Sequence, residues 1–351
     1  MIATEPPTAP AEPKKVLIIK PSALGDVVTA VPVLRGLRRA FPAAKIDWLL
    51  SRSCAALVEG DGDLDGVVYF DRRPLGRAWR SPAAAKMLAG FLAGLRRGGY
   101  DWVIDLQGLL RSGFFARATG AGVRAGFANA REGAWLFYTH RHLPAETHTV
   151  DRNISLARSL GIGARREDMT LEVFPAGREF AESFLRRTGA AERGFVVLVP
   201  PTRWPTKCYP VRHWRTVAAI LAQRRPVALL GTDADRELCR QIADAAGRGA
   251  VNLAGQTTIP QMVALIASAG CVVCSDSAAM HIAQAVGTDV LALLGPTRPE
   301  RTGPVLGGRA LLAEVPCRGC LRRRCRHITC MQAIHPRDVV ASVEALWAGR
   351  D

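Results

Sequence analysis

Apolar positions along the chain fall into two patterns. Short unbroken blocks lie at residues 16–19, 45–50, 66–70 and 100–106 in the first half, and at 195–199, 226–230, 251–253, 271–274 and 290–294 in the second. Each is bounded by Gly, Pro or polar residues, as strands buried on both faces are. Between them run longer stretches with helical spacing, such as Val27, Val31 and Leu34, residues 83–97, and Trp214, Val217, Ile220 and Leu221; residues 338–347 form a last amphipathic helix. Strand and helix alternate twice over, which predicts an α/β chain with two doubly wound sheets. The expected boundaries are a leader at 1–13, a first domain at 14–172, a second at 173–335 and a terminal helix at 336–351. The glycines of residues 120–126 follow a helical pattern rather than a strand, so a loop is expected there and not a nucleotide fingerprint.

The first strand runs into Pro21-Ser22-Ala23-Leu24-Gly25-Asp26. Such a junction lies at the carboxyl end of a parallel strand, where open α/β sheets hold ligands, and the helix that follows offers unpaired N–H groups. Asp26 stands at that helix start either as an ordinary N-cap or as a working carboxylate. The turn is neither a Walker loop nor G-x-G-x-x-G. A second junction, Gln107-Gly108-Leu109-Leu110-Arg111-Ser112-Gly113, belongs on the same sheet edge, and the His- and Arg-rich residues 132–158 are either a binding face or a solvated loop and helix.

Composition narrows the partners. The 351 residues carry 47 Lys and Arg against 31 Asp and Glu, a formal charge of +16, which favours anionic ligands. The Arg pairs are scattered and aromatics are few, so no nucleic-acid partner is expected. The Pro-rich start, MIATEPPTAPAEP, lacks the basic and apolar regions of a signal peptide and is expected to be a leader without fixed structure. No apolar run is long enough to span a bilayer. Cysteines in apolar strands and helices suit a reducing cytoplasm.

The second half supplies a phosphate-binding set. Lys207 follows a strand by a short loop, and Ser275-Asp276-Ser277-Ala278-Ala279-Met280-His281 joins a strand to a helix start whose N–H groups, with the Ser277 hydroxyl, suit a phosphate. Asp276 is placed for a ribose hydroxyl or for orienting the turn. His281 is either a satisfied interior histidine or a member of the site, and Gly295-Pro296-Thr297 ends the next strand. Together these predict a nucleotide-diphosphate site facing Asp26 across a cleft between domains.

In order along the chain, KPSALGD, DLQGLLRSG, PTRWPTK, SDSAAMH and LLGPTRP resemble the motifs of the ADP-heptose:lipopolysaccharide heptosyltransferases, inverting glycosyltransferases of family 9. The likeness runs from Lys15 to the end of the chain, and IDWLL, REGAWLFYTHRH and ETHTVDR are most similar to the heptosyltransferase I branch. The resemblance implies a GT-B fold and transfer of L-glycero-D-manno-heptose from ADP-heptose to Kdo-lipid A, with no cofactor required. It implies Asp26 as the catalytic base and Thr202, Lys207, Asp276, Ser277, Ala278, His281 and Thr297 on the donor. Ser22, Gln107, Arg111, His148 and Arg152 are implied on the anionic, lipid-linked acceptor, and the enzyme on the cytoplasmic face of the inner membrane as a peripheral protein. Two residues depart from the family pattern: Ala278 where Gly is usual, and Ser277 where Thr is common. Open alternatives are a related transferase with another donor or acceptor, a non-catalytic nucleotide-binding scaffold, and an epimerase of the same architecture.

One cluster stands outside this scheme. Cys317, Cys320, Cys325, His327 and Cys330 have the residue types and close spacing of a structural zinc site, Cys317, Cys320, Cys325 and Cys330 being the expected ligands. The alternative is a set of reduced thiols in a compact basic loop.

Overall fold

The structure, a computed structural model, describes residues 11–71 and 81–348. Most of the expected leader and the Arg72-Arg73 pair lie outside the described residues. The chain divides into two units between Met169 and Thr170, three residues before the boundary expected from sequence.

The first unit holds β1 (Lys15–Ile19), β2 (Lys45–Leu50), β3 (Gly66–Tyr69), β4 (Trp102–Asp105), β5 (Val123–Phe127) and β6 (His140–His142). They form one parallel sheet in the order β3-β2-β1-β4-β5-β6. The second unit holds β7 (Val196–Val199), β8 (Val227–Leu229), β9 (Ala250–Asn252), β10 (Cys271–Ser275), β11 (Asp289–Leu294) and β12 (Arg309–Leu312). These are also parallel, in the order β9-β8-β7-β10-β11-β12. Both orders are the doubly wound 3-2-1-4-5-6, so each sheet has a switch point, between β1 and β4 and between β7 and β10, where helices leave to opposite faces and open a crevice. The fold is α/β of the GT-B kind, as the sequence predicts.

Central strands are apolar throughout because both faces are covered: Val16, Leu17, Ile18 and Ile19 are fully buried, as are Val196, Val197 and Leu198. Phe70, Phe91 and Phe115 meet edge to face or tilted over one side of the first sheet. The second core gathers Trp214, Val217 and Leu221 with Val339 and Val343 of the terminal helix Pro336–Ala348, which therefore belongs to the second unit.

Three strands escape the apolar pattern. The Gly-rich residues 120–126, expected as a loop, contain one left-handed helix cap at Gly120 (φ 74°) and then enter β5. β6 and β12 were likewise unforeseen, being short edge strands, β6 of three polar residues and β12 of four that open on Arg309. The helix expected from Val27 onward is two helices, Leu24–Val28 and Val31–Ala40. Pro32, which has no N–H to donate, sits in the first turn of the second.

Candidate active site

In the first unit the candidate site residues gather at the carboxyl ends of β1 and β4. Asp26 is the third residue of helix Leu24–Val28, not its N-cap; its Oδ2 accepts the Ala23 N–H at 3.0 Å. The side chain is still 46% exposed, so this bond does not hide the carboxylate. Behind it Lys20 is almost fully buried; its Nζ donates to Leu106 O at 2.8 Å and lies 3.9 Å from Asp26 Oδ1. The sequence reading passed over Lys20, because a lysine after a strand ordinarily reaches water.

Asp105, at the end of β4, is fully buried. Its Oδ1 accepts the N–H groups of Gln107 (2.9 Å) and Gly108 (3.2 Å), and its Oδ2 accepts the Tyr138 hydroxyl at 2.6 Å. Burial raises its pKa against these bonds and also raises that of Tyr138. Asp105 thus fixes the turn that presents Gln107, whose Oε1 is buried without a hydrogen-bond partner. Gly108 adopts φ 64°, which glycine adopts at no steric cost. Arg111 is exposed as the second residue of helix Leu110–Thr119, and Ser22 is exposed.

Arg152 holds Asn129 Oδ1 at 3.1 Å and lies 5.1 Å over the Phe127 ring, at the end of β5. His148, expected on the acceptor, is buried and caps helix Thr149–Arg158, its Nδ1 accepting the Val150 N–H at 3.2 Å.

In the second unit Lys207 ends the short turn Pro205–Lys207 after β7. Its Nζ donates to Asp276 Oδ2 at 2.8 Å, with the two side chains only 15% and 10% exposed, and lies 4.3 Å over the Trp204 ring. Thr302 also donates to Asp276, at 3.4 Å. Ser277 is the N-cap of helix Ala278–Ala285, extended at φ −143° and ψ 174°. It makes no cap bond with its side chain, so the first-turn N–H groups have no side-chain cap. Ala278 is the first helical residue, a position whose backbone asks for no glycine. The Ser275 and Thr297 hydroxyls are buried without hydrogen-bond partners beside this turn, a state that costs free energy unless a ligand or water meets them. Ser275 stands at the head of the SDSAAMH turn but has no role assigned from sequence, since it closes an otherwise apolar strand. Thr202 donates to Trp204 O at 2.9 Å and so shapes the lysine loop, while His281 is buried within its helix.

Residues 89–329, more than half of the chain, match the family model described as glycosyltransferase family 9 (heptosyltransferase). The chain belongs to glycosyltransferase family 9. Among family members, lipopolysaccharide heptosyltransferase 1 of Pseudomonas aeruginosa is 28% identical over 95% of this chain and 98% of its own length. The E. coli heptosyltransferase WaaC, solved with ADP-2-deoxy-2-fluoro heptose, superposes with a TM-score of 0.74 at 26% identity, covering 94% of this chain and 99% of that one. A family 9 glycosyl transferase from Veillonella parvula gives a TM-score of 0.79 at 19% identity, over 96% and 97% of the two chains, which is a likeness of fold. This family 9 chain is accordingly a glycosyltransferase, with a carboxylate at one switch point and a lysine at the other.

Proposed function

We propose that this enzyme transfers L-glycero-D-manno-heptose from ADP-heptose, with inversion, to the Kdo-bearing inner core of a lipid A precursor. The observation that carries the reading is the second switch point. There a lysine held by one carboxylate, a helix start without a side-chain cap and two buried, unpartnered hydroxyls make a polar set suited to a diphosphate. The relatives named for heptose transfer, and the one solved with an ADP-heptose analogue, direct that set to ADP-heptose.

In this reading the acceptor hydroxyl attacks the anomeric carbon on the face opposite ADP. Asp26 takes the hydroxyl proton as the new bond forms and the bond to the β-phosphate oxygen breaks. The departing diphosphate competes with Asp276 for Lys207 and is met by the N–H groups at Ser277 and Ala278, so the step calls on no cofactor. Gln107, Arg111 and Ser22 meet the acceptor, whose phosphates and carboxylates suit arginine. Arg152 acts there from a helix that His148 caps. The enzyme works at the cytoplasmic face of the inner membrane, which its net charge and an exposed apolar cluster support.

The test is incubation with ADP-heptose and a Kdo-lipid A acceptor, scored by ADP release and a heptose added to acceptor mass. Asp26→Asn is expected to lower turnover by about 10²- to 10⁴-fold with ADP affinity kept. Near-normal turnover in that variant would refute the base assignment. No transfer to any Kdo acceptor would refute the reading as a whole.

A further inference from the structure

The four thiols of Cys317, Cys320, Cys325 and Cys330 line one cavity of about 280 Å³, together with His327. The backbone around them is bent in an uncommon way. Gly319 and Leu321, flanking Cys320, have φ 68° and 58°, and Ile328, three residues after Cys325, has φ 37°. Leucine and β-branched isoleucine rarely adopt this region, and such residues collect where the surroundings hold a loop for a purpose. His327 Nδ1 lies 2.8 Å from Thr329 Oγ1. Arg318, Arg322, Arg323, Arg324 and Arg326 crowd the same loop.

We infer that Cys317, Cys320, Cys325 and Cys330 form a tetrathiolate site for a thiophilic divalent cation, zinc before iron. Among the described residues no three such groups already stand at metal-ligand spacing, so the loop closes on the ion as it binds. Four thiols lose four protons to a dication, leaving a centre of charge −2, which the surrounding arginines offset. The position gives the ion a consequence. Gly319 and Leu321 N–H groups donate to Gly295 O (2.8 Å) and Pro296 O (2.7 Å), next to Thr297. Thr206, beside Lys207, donates to Arg322 O at 2.8 Å, and Arg323 lies 4.5 Å over the Trp204 ring. Closing the loop fixes both sides of the diphosphate site; this coupling rests on the donor reading given above.

The experiment is metal analysis of the full chain, purified without chelator from cells supplied with zinc and iron. Expected are close to one equivalent of metal, mainly zinc, and four thiols that react with a disulfide reagent only after a chelator removes the ion. Cys320→Ser with Cys325→Ser loses the metal. Should that variant not fold, cobalt substitution of the unaltered chain is expected to give the visible bands of tetrahedral cobalt thiolate. Metal removal is expected to weaken ADP binding about fivefold or more. A metal-free chain with four freely reactive thiols, taking up neither zinc nor cobalt, overturns the site. Metal bound with ADP affinity unchanged by its removal overturns the coupling. A chain that binds no ADP in either state defeats the donor reading instead, and metal content still decides the ion site.

Discussion

Asp26, the proposed base, is paired with Lys20. Lys20 is buried, donates to Leu106 O and lies 3.9 Å from Asp26, so it ties the β1 turn to the β4 turn while placing positive charge behind the carboxylate. Methionine keeps the length of the stem and removes the charge and donor. Lys20→Met should leave the Leu106 carbonyl unsatisfied, costing about 1–3 kcal/mol, and lower the melting temperature by several degrees. Turnover should fall about tenfold, less than for Asp26→Asn, while ADP binding, assigned to the other unit, stays unchanged. Calorimetry, single-turnover rates and ADP titration read these three effects, and full turnover in the variant would deny Lys20 its positioning role. Asp26 stands out in sequence as a candidate because an apolar run, a Gly-containing turn and a helix start coincide there. Lys20, Asp105 and Ser275 do not, because their importance comes from burial, and burial of a polar residue at a strand end depends on what the neighbouring strand contributes.

Elements differ in how tightly their glycines are used, and the difference predicts opposite signs. Gly113, in helix Leu110–Thr119, faces the turn Arg131–Phe137 so closely that a Cβ would meet Ala134 O and the Phe137 ring at 2.9 Å. Gly94, in helix Pro82–Arg97, has open space around the same position. Alanine gains helix propensity at both, but at Gly113 the contact is with backbone, which does not yield cheaply. Gly94→Ala should stabilise the chain by about 0.5–1 kcal/mol, and Gly113→Ala should destabilise it by about 1–3 kcal/mol and disturb the helix start bearing Arg111. Denaturant titration of the two variants compares them directly; equal shifts would mean that the helix and turn are not in firm contact. At this scale the sequence displayed the central strands well, since those buried on both faces read as unbroken apolar blocks. It hid β6 and β12, where an edge position permits Arg and His, and β5, whose Arg124 and Gly126 interrupt the apolar run, and it joined two helices across Pro32 because the apolar spacing continues through the break.

For the molecule as a whole, charge and exposed apolar surface act together. The formal charge is +16, and among the described residues the large exposed apolar side chains are Met87, Leu110, Phe114, Trp135, Leu136 and Leu143, all in the first unit. Four of them adjoin: Leu110 and Phe114 share a helix face, Phe114 lies 6.3 Å from the Phe137 ring, and Trp135 and Leu136 precede that ring. Arg111 stands on the same helix, and Arg141 lies 5.1 Å over the Trp135 ring. Aromatic and aliphatic side chains interleaved with arginine suit the boundary between headgroups and acyl chains, where each nearby cation contributes about 1 kcal/mol. No helix among the described residues is long and apolar enough to cross a membrane. Vesicles containing anionic lipid should therefore bind the chain, and binding should weaken as salt rises because the charges lie at the surface. Trp135→Ser with Leu136→Asp should reduce that binding at least tenfold, since the first removes an interfacial anchor and the second adds like charge against the lipid, while ADP binding is unaffected. If the altered chain binds these vesicles as well as the original, or if salt has no effect, this surface is not the membrane contact and the acceptor must be drawn from the bilayer by another route.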